Sequence, residues 1–142
     1  MRTKAIVICL LFSLPLLAQK KVIQPKEFPT GRPFSPGILS GNTLYVAGQT
    51  GQDLKTGKIP EDFDAGVKQC LENIGLILKE AHMGFEDAVT VQVYLTDIAL
   101  FPKMNAIYTT YFKEPRPART TVGVAKLAGA GARVEITVTA SK

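Results

Sequence analysis

The residue whose type and position most clearly suggest a binding or catalytic role is Arg119, which follows two prolines in the segment "EPRPARTTVGV". Proline fixes φ and disfavours a helical residue before it, so Pro115 and Pro117 predict a stiff, extended approach to a strand. A guanidinium presented from a rigid base suits bidentate binding of a carboxylate or phosphate. The alternative is a solvated arginine that covers the edge of a strand.

A second candidate is Glu135, in the segment "ARVEITVTA" near the C-terminus. Side chains alternate between the two faces of a strand, so Glu135 shares a polar face with Arg133, Thr137 and Thr139, while the intervening residues are apolar. A carboxylate that faces a cleft can orient water or transfer a proton as a general acid or base. The alternative is a solvated glutamate that pairs with Arg133.

Few other residues offer reactive groups. His82 is the only histidine, and Cys70 is the only cysteine after the first 18 residues. His82 falls in the last predicted turn of a helix, where a cation is favoured, and Cys70 is expected to pack as a small hydrophobe. This composition excludes a histidine-activated nucleophile and a zinc cluster, so no metal is expected. The segment "AGQTG" lacks the lysine and hydroxyl of a phosphate loop, and its glycines predict a close approach of the backbone to another group.

The first 18 residues predict a signal peptide. Arg2 and Lys4 precede an apolar run that continues to Ala18, a small residue suited to cleavage. The run is short for a membrane span, so we expect an exported protein, periplasmic or secreted, without a permanent membrane anchor. Residues 19–31 are polar and contain two prolines, which predicts a tether before a domain over residues 32–142.

The composition is that of one globular domain, with 142 residues of which 46% are hydrophobic and 20% charged. The formal net charge is +5, from 17 basic and 12 acidic residues, and it falls to +3 when the two basic residues of the leader are removed. No basic cluster is interleaved with aromatic residues. Nucleic-acid binding is therefore not favoured.

The apolar pattern predicts the elements that position these candidates. Two amphipathic helices are expected at residues 61–82, with Gly84 as the stop, and 102–112. A hairpin around "SGN" and three later strands are also predicted, at residues 88–97, 120–127 and 132–140. This order indicates an α+β fold in which two helices pack on one face of a mixed sheet. The other face needs a partner, which favours oligomers with ligand sites between subunits.

Five segments occur in an order that is typical of a known family: "VAGQTGQDLKTGKIP", "QCLENIGLILKEA", "DAVTVQVYLTDIALFPKMNAIYTTYF", "RPARTTVGVAKL" and "VEITVTA". Combined, they resemble the Rid (YjgF) family, which older descriptions call endoribonuclease L-PSP, over nearly everything from Pro33 to Ala140. Within that family the chain looks like the 2-iminobutanoate/2-iminopropanoate deaminases. The resemblance implies a chorismate-mutase-like fold, a homotrimer, and three sites in the clefts between subunits.

The resemblance also implies roles for single residues. Arg119 corresponds to the arginine that binds the substrate carboxylate, and Glu135 to a glutamate that positions or activates water. Asn105 and Gly48 fall on further site positions of the family. The implied reaction is hydrolysis of 2-imino acids or their enamine tautomers to 2-keto acids and ammonia, with no cofactor.

Three site positions differ from the deaminase pattern. Phe34 stands where close relatives carry tyrosine, Ala47 where they carry serine, and Thr121 where they carry cysteine. The first two changes remove hydroxyls, which predicts intact carboxylate binding and slower hydrolysis. An exported trimeric module that binds small carboxylates without turnover is the alternative. A ribonuclease is less favoured, because the sequence has no pair of histidines and no basic groove.

Overall fold

The computed structural model describes residues 19–142, and the predicted signal peptide at residues 1–18 lies outside this range. Its helices are α1 (Phe63–Glu80) and α2 (Phe101–Tyr111). Its strands are β1 (Lys20–Ile23), β2 (Gly37–Ser40), β3 (Thr43–Val46), β4 (Gln49–Thr50), β5 (Ala88–Leu95), β6 (Ala118–Gly123) and β7 (Val134–Ser141). No helix within the described range is long and apolar enough to cross a membrane.

The strands form one mixed sheet in the order β1-β2-β3-β7-β5-β6, and β4 pairs with β7. Among the strands of residues 19–142, only β5 and β6 pair in parallel, and α2 lies in the connection between them, as a parallel crossover requires. Helix α1 packs against α2 and against β3, β4 and β7. The predicted α+β fold, a mixed sheet with two helices on one face, is confirmed.

The core forms between α1 and the sheet. Asp62 caps α1 by accepting a hydrogen bond of 2.8 Å from the backbone N–H of Ala65. Three turns of the helix then place Val67, Leu71 and Ile74 in the core, each fully buried. Burial of such a side chain contributes about 1.5–3 kcal/mol, so this helix face determines which face of the sheet is covered.

The alternation predicted for the last strand is confirmed. In β7 the residues Val134, Ile136, Val138 and Ala140 are buried, while Glu135 and the residues that alternate with it remain partly exposed. The period of two therefore aims Glu135 away from the helices.

The end of α1 differs from the prediction. The helix ends at Glu80, and His82 adopts a left-handed conformation with φ of 57°. Its backbone N–H donates to the Lys79 carbonyl over 2.9 Å, which satisfies one of the free carbonyls at the helix end. Gly84 has φ of −130° and is not the stop. His82 thus follows the helix instead of lying in its last turn.

The prediction of a tether over residues 19–31 was wrong. The strand β1 pairs antiparallel with β2, and Ile23 and Phe28 are 2% and 3% exposed in the core. Together with Pro25 they are the buried residues of the segment, and three irregularly spaced positions are too few to give a periodic signal. The strand β6 is also shifted toward the N-terminus relative to the predicted range of residues 120–127. Because it begins at Ala118, Arg119 lies inside the strand.

The face of the sheet opposite the helices carries exposed apolar side chains. Val22, Ile38 and Tyr45 are paired neighbours across three strands, and the side chains of Val22 and Tyr45 are 55% and 54% exposed. Glu135 lies on this same face. An exposed apolar sheet face is typical of a surface that associates with another chain.

Candidate active site

A cleft of about 420 Å³ opens around Glu135, within the range typical of small-molecule sites. It lies where β4 meets the end of β3 and pairs with β7. Its lining is formed by Arg32, Phe34, Ala47, Gly48, Gln49, Thr50, Gln52, Leu54, Asn73, Ala128, Gly129 and Glu135. The sequence-predicted residues Glu135, Gly48 and Phe34 therefore come together here.

The backbone of Gly48 lies directly against the side chain of Glu135. A Cβ atom on Gly48 would lie 2.1 Å from Oε1 of Glu135, far inside van der Waals contact. Glycine at this position therefore leaves the space that the carboxylate occupies. This is the close approach predicted from the glycines of "AGQTG".

The carboxylate of Glu135 has no ion pair among the described residues. Arg133, which the sequence offered as a partner, donates instead to the backbone carbonyl of Glu61, and its guanidinium lies 5.4 Å from the centre of the Phe63 ring. The Glu135 carboxylate thus remains available in the cleft as a hydrogen-bond acceptor.

Buried polar groups hold the floor of the cleft in place. Asn73 is 1% exposed, and its Nδ2 donates to the backbone carbonyls of Thr50 and Gln52 over 3.2 and 2.8 Å. The Sγ of Cys70 donates to the Gln49 carbonyl over 2.9 Å, and burial raises the pKa of the Cys70 thiol. Cys70 is thus a structural thiol and not a nucleophile.

Arg119 lies on the other face of the sheet, against α2. Its guanidinium carbon is 4.5 Å from the centre of the Tyr108 ring and 5.5 Å from that of Phe101. Cation–π contacts of this kind contribute about 0.5–2 kcal/mol and restrict the guanidinium plane. Arg119 is therefore half-buried and oriented on the edge strand β6.

Three buried polar atoms on α2 and β6, the elements that flank this arginine, have no hydrogen-bond partner in the described part of the chain. They are Oδ1 of Asn105, the hydroxyl of Tyr108 and Oγ1 of Thr121. Phe101, Asn105 and Tyr108 share one face of α2 by their spacing of four and three, and Thr121 follows Arg119 on the same face of β6. An unpaired buried polar atom costs about 1–3 kcal/mol, so three together indicate a polar surface that a ligand or another chain completes.

The Tyr108 phenol is neutral in this setting. Burial raises its pKa above the usual value, and the nearby Arg119 and Arg116 oppose that rise. A protonated phenol beside the guanidinium can donate a hydrogen bond to an anion.

The two groups of residues cannot meet within one chain. Arg119 pairs with Val91 of β5, and Glu135 pairs with Tyr94 of the same strand. Those two residues of β5 point to opposite faces of the sheet, and standard strand spacings place the Cα atoms of Arg119 and Glu135 about 14 Å apart. The predicted site residues thus separate into two half-sites: Glu135, Gly48 and Phe34 in the cleft, and Arg119, Asn105 and Thr121 beside α2.

Sequence reasoning missed two residues of this region. Arg32 lines the Glu135 cleft, although the sequence marked it only as the start of the domain. Tyr108 contacts Arg119, although its spacing indicated only a core-facing helix position. The sequence could have indicated Arg32 as a site residue only through its position two residues before Phe34. Within residues 19–142, no three His, Cys, Asp or Glu side chains lie close enough to hold a metal ion together.

Comparison with known proteins gives consistent matches. The model of the family described as endoribonuclease L-PSP matches residues 25–142. A RutC family protein of Aquifex aeolicus is 41% identical over 126 residues, which cover 87% of this chain and 99% of that protein. The Rattus norvegicus protein named 2-iminobutanoate/2-iminopropanoate deaminase is 40% identical over 119 residues, which cover 82% of this chain and 86% of that one. The crystal structure of E. coli TdcF with bound serine is similar with a TM-score of 0.79 at 28% identity, over 86% of this chain and 98% of that one.

Proposed function

The chain belongs to the endoribonuclease L-PSP family, which is the Rid family, and from this premise we propose that it hydrolyses 2-imino acids to 2-keto acids and ammonia. The observation that carries the proposal is the unpaired Glu135 carboxylate, which borders a cleft of about 420 Å³ with Gly48 directly beside it. A relative that is 40% identical carries the name of such a deaminase.

Substrate binding depends on Arg119. Its oriented guanidinium offers paired N–H donors to the substrate carboxylate, and the neighbouring Tyr108 and Thr121 hydroxyls have no other partner within the described chain. The serine bound to the relative TdcF is itself an amino acid with a carboxylate, which is consistent with this chemistry. Binding through the carboxylate leaves the C=N carbon exposed toward the rest of the site.

Glu135 supplies the proton transfers. Its carboxylate accepts a proton from water as the water oxygen attacks the imine carbon, which forms a C–O bond and moves the π electrons of C=N to nitrogen. With a protonated imine, the product of this attack is a neutral tetrahedral carbinolamine. Glu135 then returns its proton to the amino nitrogen and the C–N bond breaks. The hydroxyl proton passes through Glu135 to the departing ammonia as the C=O bond of the keto acid forms, so iminium and water become keto acid and ammonium. No electrons are exchanged with a cofactor in this sequence.

The half-sites require that two copies of the chain meet. Because Arg119 and Glu135 of one chain point to opposite faces of the sheet, we propose that Arg119 of one subunit faces Glu135 of the next. A closed ring of three subunits provides three such sites and also covers the exposed apolar sheet face. The homotrimer is thus part of the proposed mechanism.

A second candidate is a small-carboxylate binding protein without turnover. It is favoured by Phe34 and Ala47, which both line the cleft and carry no hydroxyl that could hold the attacking water or the leaving nitrogen. This candidate keeps the binding role of Arg119 and removes the chemical role of Glu135.

Ribonuclease activity has less support. His82 is the only histidine of the chain, and it lies beyond the end of α1 among residues that do not line the Glu135 cleft. A general-acid and general-base pair of histidines is therefore excluded.

The test is an assay of imine hydrolysis, with 2-iminopropanoate and 2-iminobutanoate generated in situ by an amino-acid oxidase. We expect faster release of ammonia than in buffer, and a strong loss of turnover in Glu135→Gln with nearly constant affinity for 2-keto acids. Tight keto-acid binding without any acceleration would support the binding protein instead.

A further inference from the structure

Arg32 is the one arginine that lines the Glu135 cleft among the described residues, and the proposed reaction gives it no role. Its guanidinium carbon lies 5.7 Å from the centre of the Phe34 ring, and its Nη2 donates to Oε1 of Gln52 over 3.4 Å. Both neighbours also line the cleft. Arg32 is therefore held at the cleft wall by an aromatic ring and an amide.

The guanidinium of Arg32 has N–H donors that are not used within the described chain. A guanidinium carries five N–H donors, and the single recorded hydrogen bond of Arg32 is long, at 3.4 Å. No carboxylate lies within ion-pair distance of Arg32 in residues 19–142. The other residues that line the cleft are neutral, apart from Glu135.

The charges of the assembled site favour a substrate with an additional anionic group. Arg32, Glu135 and an Arg119 from the neighbouring subunit sum to one positive charge. A protonated imino acid with one carboxylate is neutral overall and leaves that charge uncompensated. A protonated imino acid with two carboxylates carries one negative charge and balances it, which is favourable in a partly desolvated cleft.

From this arrangement, which rests on the proposed function, we infer that Arg32 forms a second carboxylate subsite and that the preferred substrates are 2-imino dicarboxylates. Arg119 binds the carboxylate next to the imine carbon, and Arg32 binds the distal carboxylate across the cleft. Glu135 lines the same cleft as Arg32, against Gly48. The resulting keto acids are 2-oxo dicarboxylates, and an oxidation of acidic amino acids must supply the imines.

The test compares binding of 2-oxoglutarate and oxaloacetate with that of 2-oxobutanoate by calorimetry on the purified protein. Because keto-acid binding requires no hydrolysis, it separates this inference from the proposed reaction. A charge-assisted hydrogen bond corresponds to about a tenfold to hundredfold preference for the dicarboxylates. In Arg32→Gln the ratio of the two affinities should fall by about the same factor. Lys68→Gln removes one positive charge on the exposed side of α1 and is the matched control, in which the ratio should stay at the parent value.

Equal affinity of the parent protein for mono- and dicarboxylates overturns the inference and leaves the proposed function intact. So does an unchanged ratio in Arg32→Gln. If no keto acid binds at all, the carboxylate site at Arg119 fails, and the inference fails with it. The parent measurement alone decides the matter if the Arg32 variant does not fold.

Discussion

Replacement of Gly48 by alanine should lower the rate of imine hydrolysis strongly while the stability of the fold stays nearly unchanged. The added Cβ atom would lie 2.1 Å from Oε1, 3.0 Å from Cδ and 3.3 Å from Cγ of Glu135. Contacts shorter than 3.0 Å do not persist, so the carboxylate must move by about 1 Å or more to restore van der Waals distance. Gly48 does not have a positive φ, so alanine fits its backbone conformation.

The two consequences differ greatly in size. The Glu135 side chain is half-exposed and can leave its rotamer well at a cost of about 0.5–1.5 kcal/mol, so unfolding should change little. A displacement of about 1 Å at a catalytic group, in contrast, lowers turnover by about a hundredfold. We therefore expect nearly unchanged thermal unfolding together with a large loss of imine hydrolysis.

The assay measures kcat and KM for 2-iminobutanoate, with circular dichroism to follow unfolding. Gly66→Ala is the matched control, because a Cβ atom there meets nothing within 4 Å outside its own helix, and it should stabilise α1 by about 0.5–1 kcal/mol without loss of activity. A Gly48→Ala protein with parental kcat would refute the reasoning, because it would mean that the position of the Glu135 carboxylate does not matter.

Arg119→Lys should weaken 2-oxobutanoate binding about tenfold to hundredfold by calorimetry, since an ammonium cannot reproduce the bidentate geometry, and unchanged affinity would contradict the role of Arg119 in carboxylate binding. Phe34→Tyr combined with Ala47→Ser should raise kcat by restoring two hydroxyls at the cleft, whereas a slower double variant would show that these positions do not hold water. Light scattering should give the mass of a trimer, and a stable monomer at micromolar concentration would contradict the assembly. Mass spectrometry of the native protein should find a mature form that begins near Gln19 outside the cytoplasm, and an intact Met1 form in the cytosol would contradict export.

Local sequence patterns predicted the parts of the fold that depend on periodicity. The helical spacing in α1 and the alternation in β7 both appear where expected, and the second of these correctly placed Glu135 on the uncovered face. The first strand was missed because β1 has only four residues and a single buried side chain, Ile23. The stop of α1 was misplaced because a histidine, His82, takes the left-handed conformation that glycine usually provides.

The candidate site was predictable residue by residue, but its geometry was not. The separation of Arg119 from Glu135 depends on the register of β5, which lies between their strands, and no local pattern encodes that register. Likewise, the rings that orient Arg119 belong to α2, and their contact with β6 is a tertiary one. Arg32 carries no pattern of its own and becomes visible only when the cleft forms.

The central claim is that a hydrolytic site forms from Arg119 of one subunit and Glu135 of another. The most direct measurement uses two variants, Arg119→Ala and Glu135→Gln, each expected to be inactive alone, produced together in one cell and purified as mixed trimers. Random assembly gives intact pairs at about one quarter of the sites, so the mixture should recover up to about a quarter of the parent activity. Mixed trimers with no more activity than either variant alone would contradict the claim.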